Sequence, residues 1–338
     1  MISTGSPVSV SPVLRLAVVI PVFNDWESLS VLVPMLDEAL APLGPGVALY
    51  VVNDCSTRER DVVLQRLRTI DSIAILHLVT NVGHQRAISI GIAEVVTTGR
   101  YSHVLVMDSD GEDLPGEAMR LIQAALNHAG GSAATVVAQR RRRSEGIVFR
   151  AYYLVYKVLF RFLSGQTIDF GNFSLLPIAV ATRLIHSSDT WNHFAASLVK
   201  TRTPLIRVPT TRGRRLAGRS TMNLVSLVTL GLSAISVYSE AVFVRMLLTS
   251  LVLLSGAFAG VLAVIAIRLF TSFAIPGWAT TAGGLLGIIL MQALTLSTIA
   301  SFLALSARSG VFAVPALDAA RFVERREIVV GQGEAVRS

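Results

Sequence analysis

The sequence predicts an α/β domain with a mostly parallel sheet, followed by two helices that cross a membrane. Three observations carry this. Short apolar, β-branched runs alternate with helical periodicity from residue 16 to about residue 138, the pattern of a parallel sheet wound by crossover helices. Four of these runs end on a polar residue: Asn24, Asp54, Asn81 and Asp108. Ligands of open α/β sheets bind at such carboxyl ends. Two later stretches, residues 246–267 and 269–307, contain no charged residue, and each exceeds the roughly 20 residues a spanning helix needs.

The elements follow in order. Residues 1–12 have no basic region followed by an apolar core, so they read as a loose tail rather than a signal peptide. Leu16–Val22 is the first strand, and residues 27–40 are helical after Asn24-Asp25. Residues 48–52 form a second strand, 59–67 a helix, 73–78 a third strand and 85–95 a helix. The fourth strand, 104–107, runs into Asp108-Ser109-Asp110; a helix from Pro115 to about Asn127 leads to a fifth strand at 135–138. Residues 148–163 are aromatic, with Arg150, Lys157 and Arg161 on one helical face. That suits a membrane interface, with a core-packed helix as the rival. Residues 220–239 carry no charge, and Ser226, Thr229, Ser233 and Ser236 share one face with the following Glu240, which favours a helix lying in the interface, with a third span as the rival.

The bulk numbers agree. Of 338 residues, 52% are hydrophobic and only 15% charged, too apolar for an ordinary soluble domain. The surplus sits in the two uncharged stretches, read as spans over 246–267 and 278–305. Buried core helices are the rival, but they rarely run this long without charge. Arginines precede the spans from Arg202 to Arg219 and follow them at Arg321, Arg325 and Arg326. Two spans keep all of these on the cytoplasmic side. This gives a multi-pass inner-membrane protein with its catalytic domain and both termini in the cytoplasm. The +8 charge lies near the apolar half, which points to a membrane surface or a phosphorylated substrate and not to nucleic acid. The single Cys55 excludes an intrachain disulfide and reads as a small packing residue. G-x-G-x-x-G and the P-loop motif are both absent.

Asp108 and Asp110, with Glu112 behind them, are the candidate metal ligands, because Mg2+ and Mn2+ take hard oxygen donors. Asp169 is a candidate base or turn residue. His84 and His193 read as satisfied or surface histidines. Gly256 and Gly260 have the spacing of a helix-association face, which would suit a homo-oligomer.

The order IPVFND, VVNDCST, TNVGHQRA, VLVMDSDGEDLP, a basic run and RRLAGRS before two spans resembles the family-2 glycosyltransferases. The nearest branch is the polyprenyl-phosphate sugar transferases, which resemble dolichol-phosphate mannose synthase and the bacterial O-antigen glucosylation transferases. The resemblance implies a GT-A, Rossmann-like nucleotide-sugar fold over residues 13–219, with 144–163 as an interface helix. It also implies an amphipathic helix at 220–243, a two-helix transmembrane hairpin at 244–307 and a cytoplasmic tail at 308–338. Position by position, Pro21, Phe23, Asn24, Asp54 and Asn81 would bind the nucleotide. Asp108 and Asp110 would reach its phosphates through Mg2+ or Mn2+. Arg140, Arg143 and Arg150 would hold the acceptor phosphate, and Arg219-Ser220 matches the end of the family's R-x-x-G-x-S-K-Y run, where Thr221 and Met222 replace Lys-Tyr. Glu112 stands where relatives carry Gln. Gly171-Asn172-Phe173-Ser174 replaces a common D-F-R-L reading. The Q-x-x-R-W motif of processive synthases is absent, so a single transfer is expected.

The chemistry fits these residues. A leaving diphosphate needs neutralising, which a metal held by two carboxylates supplies. A lipid phosphate is already anionic and needs positioning more than a base, and arginines position phosphate bidentately. The expected activity is transfer of one hexose, with inversion, from a UDP- or GDP-sugar to polyprenyl phosphate. Two alternatives remain: a different lipid acceptor, or a non-catalytic scaffold or flippase subunit.

Overall fold

The computed structural model of the protein describes residues 14–60, 67–128, 134–140, 157–158, 160–218, 224–270, 277–309 and 313–330. It divides into two units: Met1–Ser144 with Ile168–Leu227 and Ala313–Ser338, and Glu145–Thr167 with Val228–Phe312.

The first unit is a sheet between two helical layers. Its strands are β1 (Leu16–Val22), β2 (Val47–Asn53), β3 (Ile70–Leu78), β4 (His103–Val106), β5 (Thr135–Arg140), β6 (Ser174–Pro177), β7 (Leu205–Thr210) and β8 (Val323–Val330). The spatial order is β7-β5-β6-β4-β1-β2-β3-β8. β4, β1, β2 and β3 run parallel. β1 and β2 are buried along their whole length, which is why each reads as an unbroken apolar run and not as an alternation. Leu16, Val18 and Ile20 pack on one face with Leu29, Leu32 and Leu36 of α1 (Trp26–Leu40) and Leu121 of α3 (Pro115–Leu126). Ala17 and Val19 pack on the other with Ile88 and Ile92 of α2 (His84–Thr98). Gly91 lets α2 approach closely, since a Cβ there would lie 2.5 Å from Val19 Cγ1 and 2.8 Å from Val52 Cγ2.

The short β6 lies between β4 and β5, antiparallel to both. Two expectations change here. The expected helix at 59–67 leaves Glu59, Arg60 and Leu67 non-helical, and 61–66 lie outside the described residues. Most of all, the stretch read as a tail contains an edge strand, for β8 pairs antiparallel with β3. Its run of charges hid it, yet an edge strand exposes one face to water and tolerates them. Helices α4 (Ile178–Ile185) and α5 (Phe194–Lys200), neither singled out in the sequence, complete the layer over α2.

The second unit holds α7 (Ser239–Phe270) and α8 (Trp278–Ser309), each 32 residues long. Both contain windows apolar enough to cross a membrane, with mean hydropathy 2.5 and 1.9 and only 11% and 17% of those windows buried. A buried core helix would be covered by protein, whereas Val252, Phe270, Met291 and Phe302 are at least 70% exposed. Lipid is the solvent that such surfaces fit. The seam between the two is built from small residues. Ser250, Ala257, Ala293, Ser297 and Ala300 are buried, and the Ser250 and Ser297 hydroxyls meet at 2.6 Å. Gly260 faces Leu286, 3.1 Å from where its Cβ would be. So Gly260 serves the hairpin itself, while a Cβ at Gly256 would meet nothing within 4 Å. The interface stretch is not one helix over 220–243: α6 (Leu224–Ser236) ends first, and Glu240 opens α7. The aromatic stretch is described only in its last turns. There Phe160 is buried against Tyr238, Phe162 is exposed, and Arg245 donates to the Phe162 carbonyl at 2.8 Å. Those turns group with the apolar helices, not with the sheet unit.

Candidate active site

The strand order reverses about β1, with β2 on one side and β4 on the other. At such a switch point the loops diverge and leave a crevice at the carboxyl ends. Asp54 follows β2 and Asp108 follows β4. Asp108 donates its backbone N–H to Asp113 Oδ2 at 3.2 Å, and Asp110 Oδ1 accepts the Glu112 N–H at 3.0 Å. These two bonds wind residues 108–113 into a tight turn, with Gly111 at φ +80°.

A basic strap, residues 211–217, lies across that turn. Glu117 anchors its start, accepting from the Thr211 N–H at 3.1 Å and from its hydroxyl at 2.8 Å. Gly213 N–H donates to the Glu112 carbonyl at 2.8 Å, and Leu216 N–H to the Asp110 carbonyl at 2.9 Å. Arg212 pairs with Glu112. Arg215 pairs with Asp25 and lies 3.4 Å from Asp110 Oδ2. The approach needs both glycines. A Cβ on Gly111 would sit 2.4 Å from Leu216 Cγ, and one on Gly213 2.5 Å from Leu114 Cδ2.

The other acid has a different neighbour. His84 Nε2, at the start of α2, lies 3.1 Å from Asp108 Oδ1. Asn172 Nδ2 lies 3.0 Å from the same ring nitrogen and 3.5 Å from the same carboxylate oxygen. Gln85 fixes Asn172, donating to its Oδ1 at 3.2 Å, and is itself fixed by the Phe194 N–H at 2.7 Å. So His84 is no isolated surface histidine. The unassigned Gly171–Ser174 departure places Asn172 beside the acids. Sequence reasoning missed Asn172 and Gln85 because the contacts span 64 to 109 residues.

The charges are poised against each other. Burial, then the neighbouring Asp108, pushes the Asp110 carboxyl up to about 6, with Arg215 and Arg212 pulling it back. Burial opposes charge on His84, but Asp108 and, further out, Asp110 and Asp54 outweigh it and raise its pKa. Burial likewise raises Asp54, against the two backbone N–H groups it accepts.

The expected nucleotide residues are placed as follows. Asp54 takes the N–H groups of Val82 at 2.7 Å and Gly83 at 3.0 Å, and Asn81 Nδ2 donates to the Asp54 carbonyl at 3.1 Å. Asn24, at φ +60°, accepts from the N–H groups of Thr57 at 2.9 Å and Arg58 at 3.0 Å, knitting the loops after β1 and β2 together. Both side chains therefore hold the loops at the carboxyl ends of β1 and β2. Pro21 is buried within β1, so its side chain belongs to the core, whereas Phe23 is 45% exposed at the rim. Cys55 is a turn residue at φ +57°.

Asp169 stands apart from the two acids' partners. It accepts from Gln139 at 2.7 Å and pairs with Arg207 at 3.2 Å. Arg140 ends β5, and its side chain lies outside the described residues, as do Arg141, Arg142, Arg143, Arg150, Arg219 and Ser220. Glu112 is engaged by Arg212, and among the described residues no group of three or more His, Cys, Asp or Glu side chains is arranged to hold a metal ion. His193 caps α5, accepting from the Ala196 N–H at 3.2 Å, and burial pushes its pKa down to about 4.

A mostly parallel α/β sheet, with acids gathered at the carboxyl ends of its central strands, is the architecture of a GT-A glycosyltransferase. The chain belongs to glycosyl transferase family 2, whose model matches residues 17–185, half of its length. It is 24% identical over 274 residues to the uncharacterized glycosyltransferase YkcC of Bacillus subtilis (strain 168), covering 79% of this chain and 81% of that one. Among solved structures it is similar to glucosyl-3-phosphoglycerate synthase from Mycobacterium tuberculosis. The complex of that protein with Mn2+, UDP-glucose and phosphoglyceric acid aligns at a TM-score of 0.46 and 15% identity, over 69% of this chain and 79% of the other. Its complex with Mg2+ and UDP aligns at 0.45 and 15%, over 69% and 79%.

Proposed function

We propose that this glycosyltransferase transfers a single hexose from a UDP- or GDP-sugar to a polyprenyl phosphate at the cytoplasmic face of a membrane. The observation that carries the reading is the carboxylate pair Asp108 and Asp110 at the switch point, with the His84 ring 3.1 Å from Asp108 and the Arg215 guanidinium 3.4 Å from Asp110. Both acids bear hard oxygens, and burial beside Asp108 has already raised the proton affinity of Asp110. A divalent cation, Mg2+ or Mn2+, fits this pair, with substrate oxygens completing its shell. When bound it supplies positive charge to the leaving diphosphate.

The chain's own residues do the rest. Asp54 and Asn24 hold the loops that would form the nucleotide pocket, and Phe23 offers an exposed ring at its rim. Arg215 exchanges Asp110 for donor or acceptor phosphate, to which a guanidinium binds in bidentate fashion. Gln85 holds Asn172 in place, and the Asn172 amide nitrogen faces Asp108 Oδ1 at 3.5 Å. A phosphate acceptor is a nucleophile without a base, and Asp169 is bound to Arg207 and Gln139. Asp169 is therefore an orienting residue for its loop. Arg140, Arg143, Arg150, Arg219 and Ser220 are proposed acceptor contacts. The apolar hairpin brings the enzyme to its lipid substrate, and both termini are cytoplasmic.

The test combines purified full-length protein, Mg2+ or Mn2+, labelled nucleotide sugars and short-chain polyprenyl phosphate. Transfer of one sugar to the lipid phosphate supports the reading. Full metal-dependent transfer by Asp110→Ala would sink the metal assignment, and transfer only to an uncharged lipid alcohol would sink the acceptor.

A further inference from the structure

The strand β8 comes after the apolar hairpin and outside the family match at 17–185. It nevertheless lies in the same sheet as the donor loop, against β3, with Glu327 opposite Ile75 and Arg325 opposite His77. Alternate residues of a strand face opposite ways. Glu327 and Arg325 share one face, and Arg326 takes the other.

On the first face runs a chain of hydrogen bonds whose direction is fixed. Asn53 Oδ1 accepts the Ser56 N–H at 3.0 Å, so its Nδ2 is the atom that faces His77 Nδ1, at 3.1 Å. An amide nitrogen only donates, so Nδ1 accepts and Nε2 carries the ring proton. That N–H donates to Glu327 Oε2 at 2.9 Å. The other oxygen, Oε1, takes Arg60 Nη2 at 2.7 Å. Ser56 in turn accepts the Asn24 N–H on its hydroxyl at 2.9 Å. Glu327 therefore holds both ends of the loop after β2: Asn53 at its root, through His77, and Arg60 at its far end. Between them lie Asp54 and the residues gripped by Asn24. Glu327 and Arg60 are each 27% exposed and His77 17%, sheltered enough for the contacts to outlast solvent screening. Arg60 Nη1 is buried and has no hydrogen-bond partner, so Glu327 supplies the described partner of that guanidinium. On the opposite face, Arg326 clamps β8 to α2 through Glu94, at 2.8 and 3.0 Å. That contact does not touch the loop.

We infer that Glu327 is a positioning residue for the donor nucleotide, with β8 acting as a buttress that returns from the hairpin to set the loop after β2. The inference rests on the proposal that this loop receives the nucleotide. Its consequence is that residues 17–185 alone do not hold the loop after β2, because the far end of the chain supplies one of its supports.

The experiment uses the full chain in detergent or nanodiscs. Binding of UDP and of GDP with Mg2+ is measured by calorimetry for the wild type, Glu327→Ala, Glu327→Gln and Arg326→Ala. Amide hydrogen exchange is followed at residues 53–58. Glu327→Ala is expected to weaken nucleotide binding on the order of tenfold, the scale of one lost charged hydrogen bond, and to speed exchange at Ser56, Thr57 and Arg58. Glu327→Gln keeps an acceptor for His77 and recovers part of the loss. Arg326→Ala releases β8 from Glu94 on the other face and leaves binding intact. Unchanged exchange in Glu327→Ala, or an equal binding loss in Arg326→Ala, overturns the inference. A wild type that binds neither nucleotide overturns the donor reading instead, and the exchange arm then still decides whether Glu327 sets the loop.

Discussion

Gly111 is the point where the acidic turn and the basic strap touch, and Gly111→Ala tests that contact. Two costs add. The residue sits at φ +80°, where an L side chain costs about 1–2 kcal/mol. The new methyl would lie 2.4 Å from Leu216 Cγ and 2.5 Å from its Cδ1, so Leu216 must move by about 1 Å or more, an overpacking cost of about 1–3 kcal/mol. The sum is about 2–5 kcal/mol, or roughly 5–15 °C in the melting temperature of a domain this size. Moving Leu216 also pulls its N–H from the Asp110 carbonyl, so nucleotide binding in the presence of Mg2+ falls with stability. The second variant separates the costs: Gly111→Ala with Leu216→Ala removes the clash and keeps the backbone strain. Relative to Leu216→Ala alone, the glycine change then costs only about 1–2 kcal/mol. Thermal melts and calorimetry read both effects. A neutral Gly111→Ala, or a cost unchanged in the Leu216→Ala background, would refute the close approach of strap and turn.

Three further outcomes follow from the site. The Asp110 carboxyl at about 6, against the usual 3.8, means the folded state holds this proton more tightly than the unfolded chain. Its contribution is greatest below about pH 4 and is lost as pH rises through about 6. Mg2+ or Mn2+ is therefore expected to raise the melting temperature more at pH 7.5 than at pH 5.5, and Arg215→Met to enlarge the difference; equal shifts at both pH values would contradict this. His193 titrates near 4 instead of 6.5, so the unfolded chain takes the proton first and stability falls as pH drops from about 6.5 to about 4. His193→Asn keeps a cap acceptor for Ala196 and should blunt that acid loss by up to about 3 kcal/mol, measured by denaturation at pH 4 and pH 7. Glu112→Gln should leave the metal concentration for half-maximal transfer within about twofold, because Glu112 serves Arg212; a tenfold rise would restore Glu112 as a ligand.

Much of this molecule is written locally. The runs of β1, β2 and β4 are mainly apolar because both faces of a central strand are buried. The acids that follow them are legible for the same reason, as the first polar residues after such runs. The two long helices are legible because a membrane leaves no room for charge. What stayed hidden is nonlocal. The strand Val323–Val330 carries Glu324, Arg325, Arg326 and Glu327, and nothing in eight residues says that a sheet edge more than 240 positions away in sequence will take them. Glu112 reads as an acid beside the pair, and only the strap shows that Arg212, 100 residues downstream, comes onto it. Asn172 was an unexplained departure until β6 inserted beside β4 and carried it to Asp108.

The sequence by itself determined the α/β class, the family, the switch-point acids Asp108 and Asp110, and the two apolar helices, because each depends on neighbours along the chain. Only the tertiary structure decided which charges meet. It gave Asp110 to Arg215, Asp108 to His84, Glu112 to Arg212, and Arg60 and His77 to Glu327. Charge pairing depends on distance in space, and the topology of the sheet sets that distance.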